Sequence, residues 1–356
     1  MKKIVVKFGG SVLKNPEGLQ KIEIIINSYN NYLIIVVSAL FSVTDKLSEI
    51  LAGRNLSGAN ISKLIKSLRR IHHDFLDHNI NNLSTIKLIK IDLELMLEIL
   101  NDHLTGLMLI GDIPESSHAF VISFGERLSS IVITSILNSK GIEISKSTPE
   151  EIGLYTSGRP LDARVDLERS RAEVKKKLSA EKHYLIPGFY GINNNNRISV
   201  FGRGGSDYSA AVIAECIDAE YCDLWKDVNG FMTADPVLIK NASTIPLLSY
   251  GEAAELSYFG ARITHPDTFA PVRLKNIPLR IFSIEQHIER ELLPPASTLI
   301  NSKREQNKNV IKSITYSNNF ALLRIKGSGV GIHPGIISNI SRKLSEKGIN
   351  IRSIIT

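Results

Sequence analysis

Short apolar runs and a helical pattern alternate along the first 40 residues. Ile4–Val6 is a β-branched run that ends near a Gly-Gly pair, and Tyr32–Ser38 is apolar at nearly every position. A run that is apolar on both faces is typical of a parallel strand covered by helices on both sides of its sheet. Between the two runs, Asn15-Pro16-Glu17 has the residue types of a helix start and predicts a helix that ends near Ser28. The pattern therefore predicts a βαβ unit with a right-handed crossover.

Residues 44–110 show no convincing strand pattern and are predicted to be a helical insert. Their apolar residues recur every three or four positions, the spacing of a helix face that packs against the rest of a protein. The residues predicted on this packing face are Leu93, Leu95, Met96, Ile99, Leu100, Leu104, Leu107 and Met108. His72, His73 and His78 lie on the same insert and are predicted to face solvent.

Strand and helix patterns alternate again in the second half of the chain. The predicted elements are strands at His183–Ile186, Ile198–Phe201 and Tyr221–Trp225, a helix at Asp207–Ile217, a helix-rich stretch at Tyr250–Lys275, and a last strand at Leu279–Phe282 that closes the sheet. Asn193–Asn196 is a polar turn and is predicted to be a hairpin tip. The fold class that this order predicts is α/β, with an open, mostly parallel sheet and helices on both faces.

The C-terminal part of the chain is predicted to be a separate unit. Residues 301–308 contain no large apolar side chain and are predicted to be a linker between a catalytic domain at 1–300 and a regulatory unit at 309–356. That unit has the pattern of a strand at Phe320–Lys326, a helix from about Pro334 to Glu346 and a strand at Asn350–Ile355. One βαβ unit is too small to close a core, so we expect the natural chain to continue past residue 356.

Composition and charge narrow the functional class. The 356 residues are 43% hydrophobic and 22% charged, which fits a globular protein of more than one domain and excludes wholesale disorder. The net charge of +7 suggests a nucleic-acid partner, but 33 of the 43 Lys and Arg and 34 of the 36 Asp and Glu precede residue 301. The main body is therefore close to neutral, and we expect no nucleic-acid binding.

The cysteine content and the lengths of the apolar runs bear on the compartment. Cys216 and Cys222 are too few for a disulfide framework, and their spacing is not that of a usual zinc site. We expect free thiols in a reducing cytoplasm. No apolar run approaches the roughly 18 residues that a membrane span needs, so no membrane association is expected.

Two glycine-rich loops lie between a predicted strand and a predicted helix. The first is Lys7-Phe8-Gly9-Gly10-Ser11 and the second is residues 202–207, Gly-Arg-Gly-Gly-Ser-Asp. Glycines leave backbone N–H groups accessible to an anion, and a nearby Lys or Arg adds a positive charge. The first loop alone could equally be a tight turn with a solvated lysine, and Asp207 in the second loop could be simply an N-cap or first-turn acid of the helix that follows. Together they predict two anionic ligands that meet at the carboxyl edge of the sheet.

A third stretch, residues 225–236 (WKDVNGFMTADP), follows a predicted strand. A carboxylate at the end of a strand can accept hydrogen bonds from ribose hydroxyls or from an amino group. Asx-type turns at Asn229-Gly230 and Asp235-Pro236 explain the same residues as structure alone, and the isolated stretch leaves the two interpretations equally open.

These motifs occur together, in the same order, in a known family. KFGGS, FGERLSS, GRGGSDYSAA, WKDVNGFMTADP and YGEAAELSYFGARITHP resemble the motifs of aspartokinases in the amino acid kinase superfamily. The resemblance covers residues 1 to about 285, and the tail is similar to the first half of an ACT regulatory domain. It implies the amino acid kinase fold and the reaction ATP plus L-aspartate to ADP plus 4-phospho-L-aspartate, the first step toward lysine, threonine and methionine.

The resemblance also implies a role for individual residues. The implied catalytic residues are Lys7 and Asp207; the implied phosphate and ATP contacts are Lys7, Phe8, Gly9, Gly10, Ser11, Gly205, Lys226, Asp227, Met232 and Arg262; the implied aspartate contacts are Ser38, Thr44, Glu126, Arg203 and Ser206; and the implied effector residues are Gly327, Gly329, Gly331 and Ile332. Glu126 would bind the aspartate ammonium and Arg203 its α-carboxylate. Mg²⁺ is expected to enter with ATP and to be held mainly by phosphates. A homodimer and an amino-acid effector, lysine or threonine, are the other partners implied.

The sequence departs from the family pattern on the nucleotide side. Several family members have Tyr, Arg and Lys where this chain has Met232, Val237 and Arg262, which predicts retained chemistry with an altered affinity for ATP. His265 precedes a proline and is predicted to be a helix-start residue rather than a catalytic one.

Two other functions stay open at this point. One is a sister kinase that acts on acetylglutamate, glutamate, carbamate or uridylate. The other is a non-catalytic sensor of amino acids. A homoserine dehydrogenase domain could also follow in the natural chain.

Overall fold

A computed structural model describes residues 2–52, 56–261, 263–285, 293–303, 311–316, 321–330, 332–351 and 353–355. The chain divides into two compact units, Met1–Tyr316 and Ser317–Thr356. Residues 311–316 belong to the first unit, where the Ser313 hydroxyl donates to the carbonyl of Met232 and Lys312 pairs with Glu252. The linker at 301–308 stays a prediction.

The first unit contains most of the regular structure. Its strands are β1 (Ile4–Phe8), β2 (Leu33–Val37), β3 (Ile144–Lys146), β4 (Thr156–Arg159), β5 (Asp162–Val165), β6 (His183–Pro187), β7 (Tyr190–Ile192), β8 (Ile198–Val200), β9 (Tyr221–Lys226), β10 (Leu247–Ser249), β11 (Leu279–Ser283) and β12 (Thr298–Asn301). Its helices are α1 (Gly18–Asn27), α2 (Val43–Leu51), α3 (Gly58–Asn79), α4 (Leu83–Ile110), α5 (Glu115–Ser139), α6 (Pro149–Ile152), α7 (Leu167–Lys177), α8 (Gly205–Cys216), α9 (Tyr250–Phe259) and α10 (Phe269–Leu274), with a 3₁₀ turn at Pro266–Thr268.

Eight strands form the central sheet in the order β10-β12-β11-β9-β1-β2-β6-β3. Every neighbouring pair is parallel except β11 with β12. The predicted open, mostly parallel sheet is therefore confirmed. The prediction that Leu279–Phe282 closes the sheet is wrong, because β12 and β10 extend it beyond β11.

Two hydrophobic cores cover the two faces of this sheet. Val6 and Phe8 of β1 face the core that α1 to α5 complete, whereas Val5 faces the core that α7 to α10 complete. This alternation follows from the two-residue period of a strand. Both faces are buried, which explains why β1 and β2 show no polar face in the sequence.

The predicted strand Ile198–Phe201 forms as β8, but it lies outside the central sheet. It pairs with β7 in a two-stranded hairpin, whose tip is the predicted polar turn at Asn193–Asn196. The expectation that both glycine loops follow strands of one sheet is therefore wrong. Apolar content alone does not distinguish a strand in a hairpin from a strand of the same length in the central sheet.

The first helix and the helical insert differ in detail from the sequence prediction. Helix α1 begins at Gly18, because Asn15 and Pro16 form a turn whose carbonyls accept from Gly18 and Leu19. In the insert, His72 is buried and its Nδ1 contacts the carbonyl of Leu68, so the prediction of a solvated His72 is wrong.

The predicted packing face of α4 is also partly wrong. Leu93, Leu100, Leu104 and Leu107 are buried as predicted, but Leu95 and Ile99 are about half exposed.

Helix α5 is long and apolar enough to cross a membrane by length and composition, but 83% of its most apolar window is buried inside the protein. It packs against α2, α3 and α4 and contributes Phe124 and Leu128 to the core. These contacts are those of a central core helix.

The second unit contains helix α11 (Ile336–Glu346), close to the helix predicted there. Of the two predicted flanking strands, the described residues 321–326, 350–351 and 353–355 are not in a strand. No residue of α11 is buried. The half-ACT interpretation of this unit stays a prediction.

Candidate active site

Two lysines reach one face of the sheet from neighbouring strands. Lys7 lies on β1 and Lys226 on β9, and the two strands pair with Lys7 opposite Leu224. Val5, Cys222 and Leu224 face the core beneath α8. Because alternate residues of a strand share a face, Lys7 and Lys226 are on this same side.

Asp207 binds both lysines. It lies in the first turn of α8, where an acidic side chain is stabilised by the helix dipole. Its Oδ1 is 2.7 Å from Lys7 Nζ and its Oδ2 is 2.7 Å from Lys226 Nζ. Lys7 is 6% exposed and Asp207 is 3% exposed. The predicted pair of Lys7 and Asp207 is therefore brought together, and Lys226 joins it.

The Asp207 carboxylate and the two lysine ammonium groups together carry a net positive charge. Burial alone would raise the pKa of Asp207, but Lys226 and Lys7 outweigh burial and hold that pKa well below its usual range. Burial lowers the pKa of Lys226, and the Asp207 carboxylate opposes this change. Two ammonium groups share one carboxylate, so the group has a surplus positive charge at the carboxyl end of two central strands. Such a surplus favours an anionic ligand.

Thr264 is a site residue that the sequence analysis missed. Its hydroxyl donates to Asp207 Oδ2 at 2.8 Å and lies 3.2 Å from the Thr268 hydroxyl. Thr264 is buried. Its only sequence signal is its position next to His265-Pro266, since a hydroxyl 57 residues from its partner shows no spacing pattern. The Asp207 carboxylate is thus fixed by three groups from three segments.

Close backbone packing brings the helix start to this point. Gly204 has φ +69°, and a Cβ at this glycine would lie 2.6 Å from His265 Cβ. His265 itself accepts from the backbone N–H of Asp267 and begins the 3₁₀ turn, so its predicted role as a helix-start residue is confirmed. A glycine is required at 204 for both conformation and space.

A buried glutamate forms the second part of the site. Glu126 of α5 is 3% exposed, and its Oε1 lies 3.4 Å from the donating Ser206 hydroxyl. The carboxyl group also accepts from the backbone N–H of Ala39, while Oε2 is buried and has no hydrogen-bond partner among the described residues. Burial raises the pKa of Glu126 to about 8, against the opposing effects of these hydrogen bonds and of Lys7. An unpaired buried carboxyl oxygen of this kind fits a cationic ligand group.

The glycine of the FGER motif explains how Glu126 reaches this position. A Cβ at Gly125 would lie 2.8 Å from Ala39 Cβ and 3.3 Å from Thr44 Oγ1. Helix α5 therefore packs directly on the segment after β2 that contains Ser38 and Thr44. The Ser129 hydroxyl donates to the carbonyl of Ser38 and fixes the same contact. The segment that contains the predicted substrate-side residues Ser38 and Thr44 thus packs on the helix of Glu126, with the Thr44 hydroxyl next to Gly125.

The first glycine loop, Gly9-Gly10, closely follows Lys7 in sequence and lies next to its ammonium group. A Cβ at Gly9 would be 3.3 Å from Lys7 Nζ, and one at Gly10 would be 3.1 Å from the carbonyl of Ala39. Ser11 is partly buried in the turn that follows. Phe8 is fully buried in the core, so its side chain is not available to a ligand and only its backbone could contact one.

The predicted nucleotide residues are partly exposed. Asp227 is 3.8 Å from Lys14 Nζ, and Met232 is half-buried in a short bridge to Thr244. Val237 is 88% exposed. Arg262 lies outside the described residues, so its predicted nucleotide contact stays a prediction.

Arg203 and Gly205 flank the start of α8. Gly205 is its first residue and packs against Phe189, which itself has a positive φ of 77°. Arg203 is exposed in the preceding turn and forms no ion pair with the described residues.

The predicted effector residues belong to the second unit. Gly327 and Ile332 are exposed and Gly329 is half-buried around a turn there, and Gly331 lies outside the described residues.

The comparisons with known proteins agree with this geometry. The model of the amino acid kinase family matches residues 2–283. The chain belongs to the amino acid kinase family. The matched residues include Lys7, Glu126, Asp207 and Lys226, so this amino acid kinase contains the whole charged group described above.

Its relatives by sequence confirm the resemblance to aspartokinases. This amino acid kinase is 30% identical over 352 residues to the bifunctional aspartokinase/homoserine dehydrogenase of Buchnera aphidicola, covering 98% of this chain and 42% of that protein. It is 27% identical over 368 residues to aspartokinase 1, chloroplastic, of Arabidopsis thaliana, covering 99% of this chain and 61% of that protein. The chain thus spans less than two thirds of the length of these curated relatives.

Solved structures confirm the fold. The amino acid kinase aligns over its full length, with a TM-score of 0.82 and 24% identity, to 76% of E. coli aspartokinase III in complex with aspartate and ADP. The aspartate kinase of Clostridium acetobutylicum aligns with 87% of this chain and 66% of its own, with a TM-score of 0.68 and 26% identity.

Proposed function

We propose that this amino acid kinase phosphorylates the side-chain carboxylate of L-aspartate with ATP to give 4-phospho-L-aspartate and ADP. The observation that carries the proposal is the juxtaposition of two parts: a surplus positive charge at Lys7, Asp207 and Lys226, and a buried Glu126 whose Oε2 has no hydrogen-bond partner among the residues that the structure describes. The first part suits a phosphoryl group and the second suits the ammonium of a free amino acid.

The chemistry needs no general base. The side-chain carboxylate of aspartate is ionised at neutral pH, so one of its oxygens can attack the γ-phosphorus directly. The new O–P bond forms as the bond from the γ-phosphorus to the β,γ-bridging oxygen breaks, and ADP leaves with the electron pair. Catalysis then consists of holding two anions in line and neutralising charge on the transferring group.

Lys7 and Lys226 supply that neutralisation. Their ammonium groups are held on opposite oxygens of Asp207 and are largely shielded from water. Fixed charges in a buried site act more strongly on a transition state than charges in water. Gly9, Gly10 and Ser11 would add backbone and hydroxyl donors next to Lys7, and Mg²⁺ would enter with ATP on its phosphate oxygens.

The amino acid would be held by the second part of the site. Its ammonium would bind Oε2 of Glu126. The hydroxyls of Ser206, Ser38 and Thr44 would form hydrogen bonds around it. The exposed Arg203 would bind the α-carboxylate in bidentate fashion. This set of contacts favours a substrate with both a free ammonium and a free α-carboxylate. Acetylglutamate lacks the ammonium, and carbamate and uridylate have neither group.

The wider roles are part of the same proposal. The enzyme would open the route to lysine, threonine and methionine. It would bind an amino-acid effector, lysine or threonine, in the second unit. One structural relative is E. coli aspartokinase III in complex with lysine and aspartate. A cytoplasmic location is supported by the two free, buried thiols of Cys216 and Cys222.

The test is a substrate panel with two readouts. Purified protein with Mg-ATP is given L-aspartate, L-glutamate, N-acetyl-L-glutamate, carbamate or uridylate, and ADP release and hydroxylamine-trapped acyl phosphate are measured. We expect both signals with L-aspartate and neither with N-acetyl-L-glutamate. Activity confined to another acceptor would identify a sister kinase. A protein that binds amino acids but releases no ADP would be a sensor.

A further inference from the structure

A short segment near the end of the first unit lies against the loop that follows β9. The segment is residues 311–316, which we call the strap, and the loop is residues 227–233, which we call the β9 loop. Two hydrogen bonds join the strap to two successive carbonyls of the β9 loop. They run from the Ser313 hydroxyl to the Met232 carbonyl at 2.8 Å and from the Ile314 backbone N–H to the Thr233 carbonyl at 3.0 Å.

An ion pair fixes the strap to helix α9. Lys312 Nζ lies 3.0 Å from Glu252 Oε1, and the Lys312 side chain is 16% exposed. Glu252 is itself held in place, because its Oε2 accepts from the backbone N–H of Ser249 in the capping box that begins α9. Since a partly buried ion pair is screened less than one on the open surface, the strap has a firm anchor beside its contacts with the β9 loop.

The β9 loop is bound by a second segment, which uses different backbone groups. The N–H of Thr233 donates to the carbonyl of Ser243, and the N–H of Ile245 donates to the carbonyl of Phe231. The strap instead binds the carbonyls of Met232 and Thr233. A loop with few fixed hydrogen bonds opens easily, so the contacts of the strap restrict the β9 loop at these two residues.

The β9 loop lies on the opposite side of the site from Glu126. In the central sheet, β1 lies between β9 and β2. Helix α5 packs at Gly125 on the segment after β2, which places the proposed amino acid on the β2 side of Lys7. The β9 loop begins directly after Lys226, on the other side of Lys7. In-line transfer needs the attacking oxygen and the leaving ADP on opposite sides of the phosphoryl group, which puts the nucleotide on the β9 side.

We propose that the strap positions the β9 loop for the nucleotide, so that Lys312 and Ser313 determine the affinity for ADP and ATP without contacting either. The proposal rests on the proposed function, because it takes the phosphoryl-donating nucleotide as the ligand of the β9 side. Lys312 and Ser313 are positioning residues that act through the backbone of Met232 and Thr233. The affinity for L-aspartate should not change, since the residues assigned to aspartate belong to neither the strap nor the β9 loop.

Binding of Mg-ADP to the full chain, measured by isothermal titration calorimetry, tests the proposal without catalysis. We expect Lys312→Met/Ser313→Ala to raise the dissociation constant of Mg-ADP about tenfold, roughly the effect of one lost hydrogen bond. The matched control is Ser139→Ala/Lys140→Met at the C-terminal end of α5. It likewise removes a hydroxyl that donates to a backbone carbonyl and a partly buried ion pair, here with Glu23. The control should bind Mg-ADP as the unmodified protein does.

Two further measurements separate positioning from a general loss of structure. Ser313→Thr keeps a hydroxyl donor and should retain the affinity for Mg-ADP. In steady-state kinetics, Lys312→Met/Ser313→Ala should raise the KM for ATP and leave kcat and the KM for L-aspartate unchanged. An unchanged dissociation constant for Mg-ADP, an equal rise in the α5 control, or a parallel rise in the KM for L-aspartate would overturn this proposal alone. A lack of Mg-ADP binding by the unmodified protein would overturn the proposed function with it.

Discussion

The Thr264 hydroxyl and the Asp207 carboxylate are joined by a hydrogen bond of 2.8 Å. The accepting atom, Oδ2, is the one that also binds Lys226. The two lysines therefore fix Asp207 from the sheet. The Thr264 hydroxyl fixes it from the segment between α9 and the 3₁₀ turn. This relationship makes Thr264 a positioning residue for the charged group.

Thr264→Val should lower kcat about tenfold, because a hydrogen bond to a charged group contributes about 1.5–3 kcal/mol and only part of it is lost in the transition state. The KM for L-aspartate should stay within about twofold, since Thr264 does not touch the Glu126 side of the site. Thr264→Ser keeps the hydroxyl and should restore kcat. Steady-state kinetics of both variants check this, and equal losses in the two would show a packing role instead.

Lys226→Met should reduce kcat by about 10²-fold, the usual effect of removing one fixed donor at a developing negative charge. Removing Lys226 leaves Lys7 as the one cation on Asp207 among the described residues, so the surplus positive charge at the phosphoryl group disappears. Lys14→Met is the matched control. Lys14 is half exposed, and its Nζ lies 3.8 Å from Asp227 Oδ2 at the edge of the site, so it forms a weak, solvated ion pair. Similar kcat values for Lys226→Met and the unmodified protein would exclude Lys226 from phosphoryl transfer.

Aspartate binding should depend on pH through Glu126. With a pKa of about 8 in the free protein, Glu126 is mostly protonated at pH 6.5 and becomes a carboxylate as pH rises. Only the carboxylate attracts the substrate ammonium, so kcat/KM for L-aspartate should rise between pH 6.5 and 8.5. Glu126→Gln should flatten this profile and raise KM about 10- to 100-fold. A profile that retains its rise in Glu126→Gln would assign the titration to another group.

The same residue should affect stability in the opposite sense. Because the pKa of Glu126 is higher in the folded protein than its ordinary value of 4.5, its contribution to stability is complete below pH 4.5 and is lost as pH rises through about 8. The free energy of unfolding should therefore decline over this range less steeply in Glu126→Gln than in the unmodified protein. Urea titrations at pH 5 and pH 8.5 measure the difference.

A buried ion pair on the other face of the sheet should be important for folding. Arg280 binds the fully buried Asp223 through two hydrogen bonds of 2.7 Å, and Tyr29 donates to the same carboxylate. Arg280→Ala should destabilise the protein by about 3–5 kcal/mol, because it leaves a buried carboxylate without its counter-charge. The control Arg164→Ala removes the exposed pair with Asp267 and should cost less than about 1 kcal/mol. Urea unfolding compares the two variants. Equal losses of unfolding free energy would contradict a special role for the buried Arg280–Asp223 pair.

The parts of the fold that the sequence could predict are those decided by local pattern. The apolar runs of β1 and β2 and the polar turn at Asn193–Asn196 formed as expected. The strand at Ile198–Val200 joined a hairpin instead of the sheet, because its short apolar pattern suits either partner. The α4 face was misassigned because Leu95 and Ile99 follow helical spacing without being covered by a neighbour.

The site was predictable only in part, for a related reason. The glycines beside Lys7 and Asp207 indicated anion-binding loops, and the resemblance to aspartokinases gave the two residues their catalytic roles. Lys226 was assigned to the nucleotide side, and its contact with Asp207 depends on the register of β9 against β1, which no local pattern specifies. The contribution of Thr264 depends on a contact across 57 residues of sequence.

The most direct test of the central claim is aspartyl-phosphate formation by Lys7→Ala, measured as hydroxamate with Mg-ATP, L-aspartate and hydroxylamine. Lys21→Ala is the matched control, because Lys21 is an exposed residue of α1 paired only with Glu285 among the described residues. We predict that Lys7→Ala loses about 10³-fold of the rate while Lys21→Ala retains it. Hydroxamate formation by Lys7→Ala at a rate near that of the unmodified protein would contradict the assignment of this site.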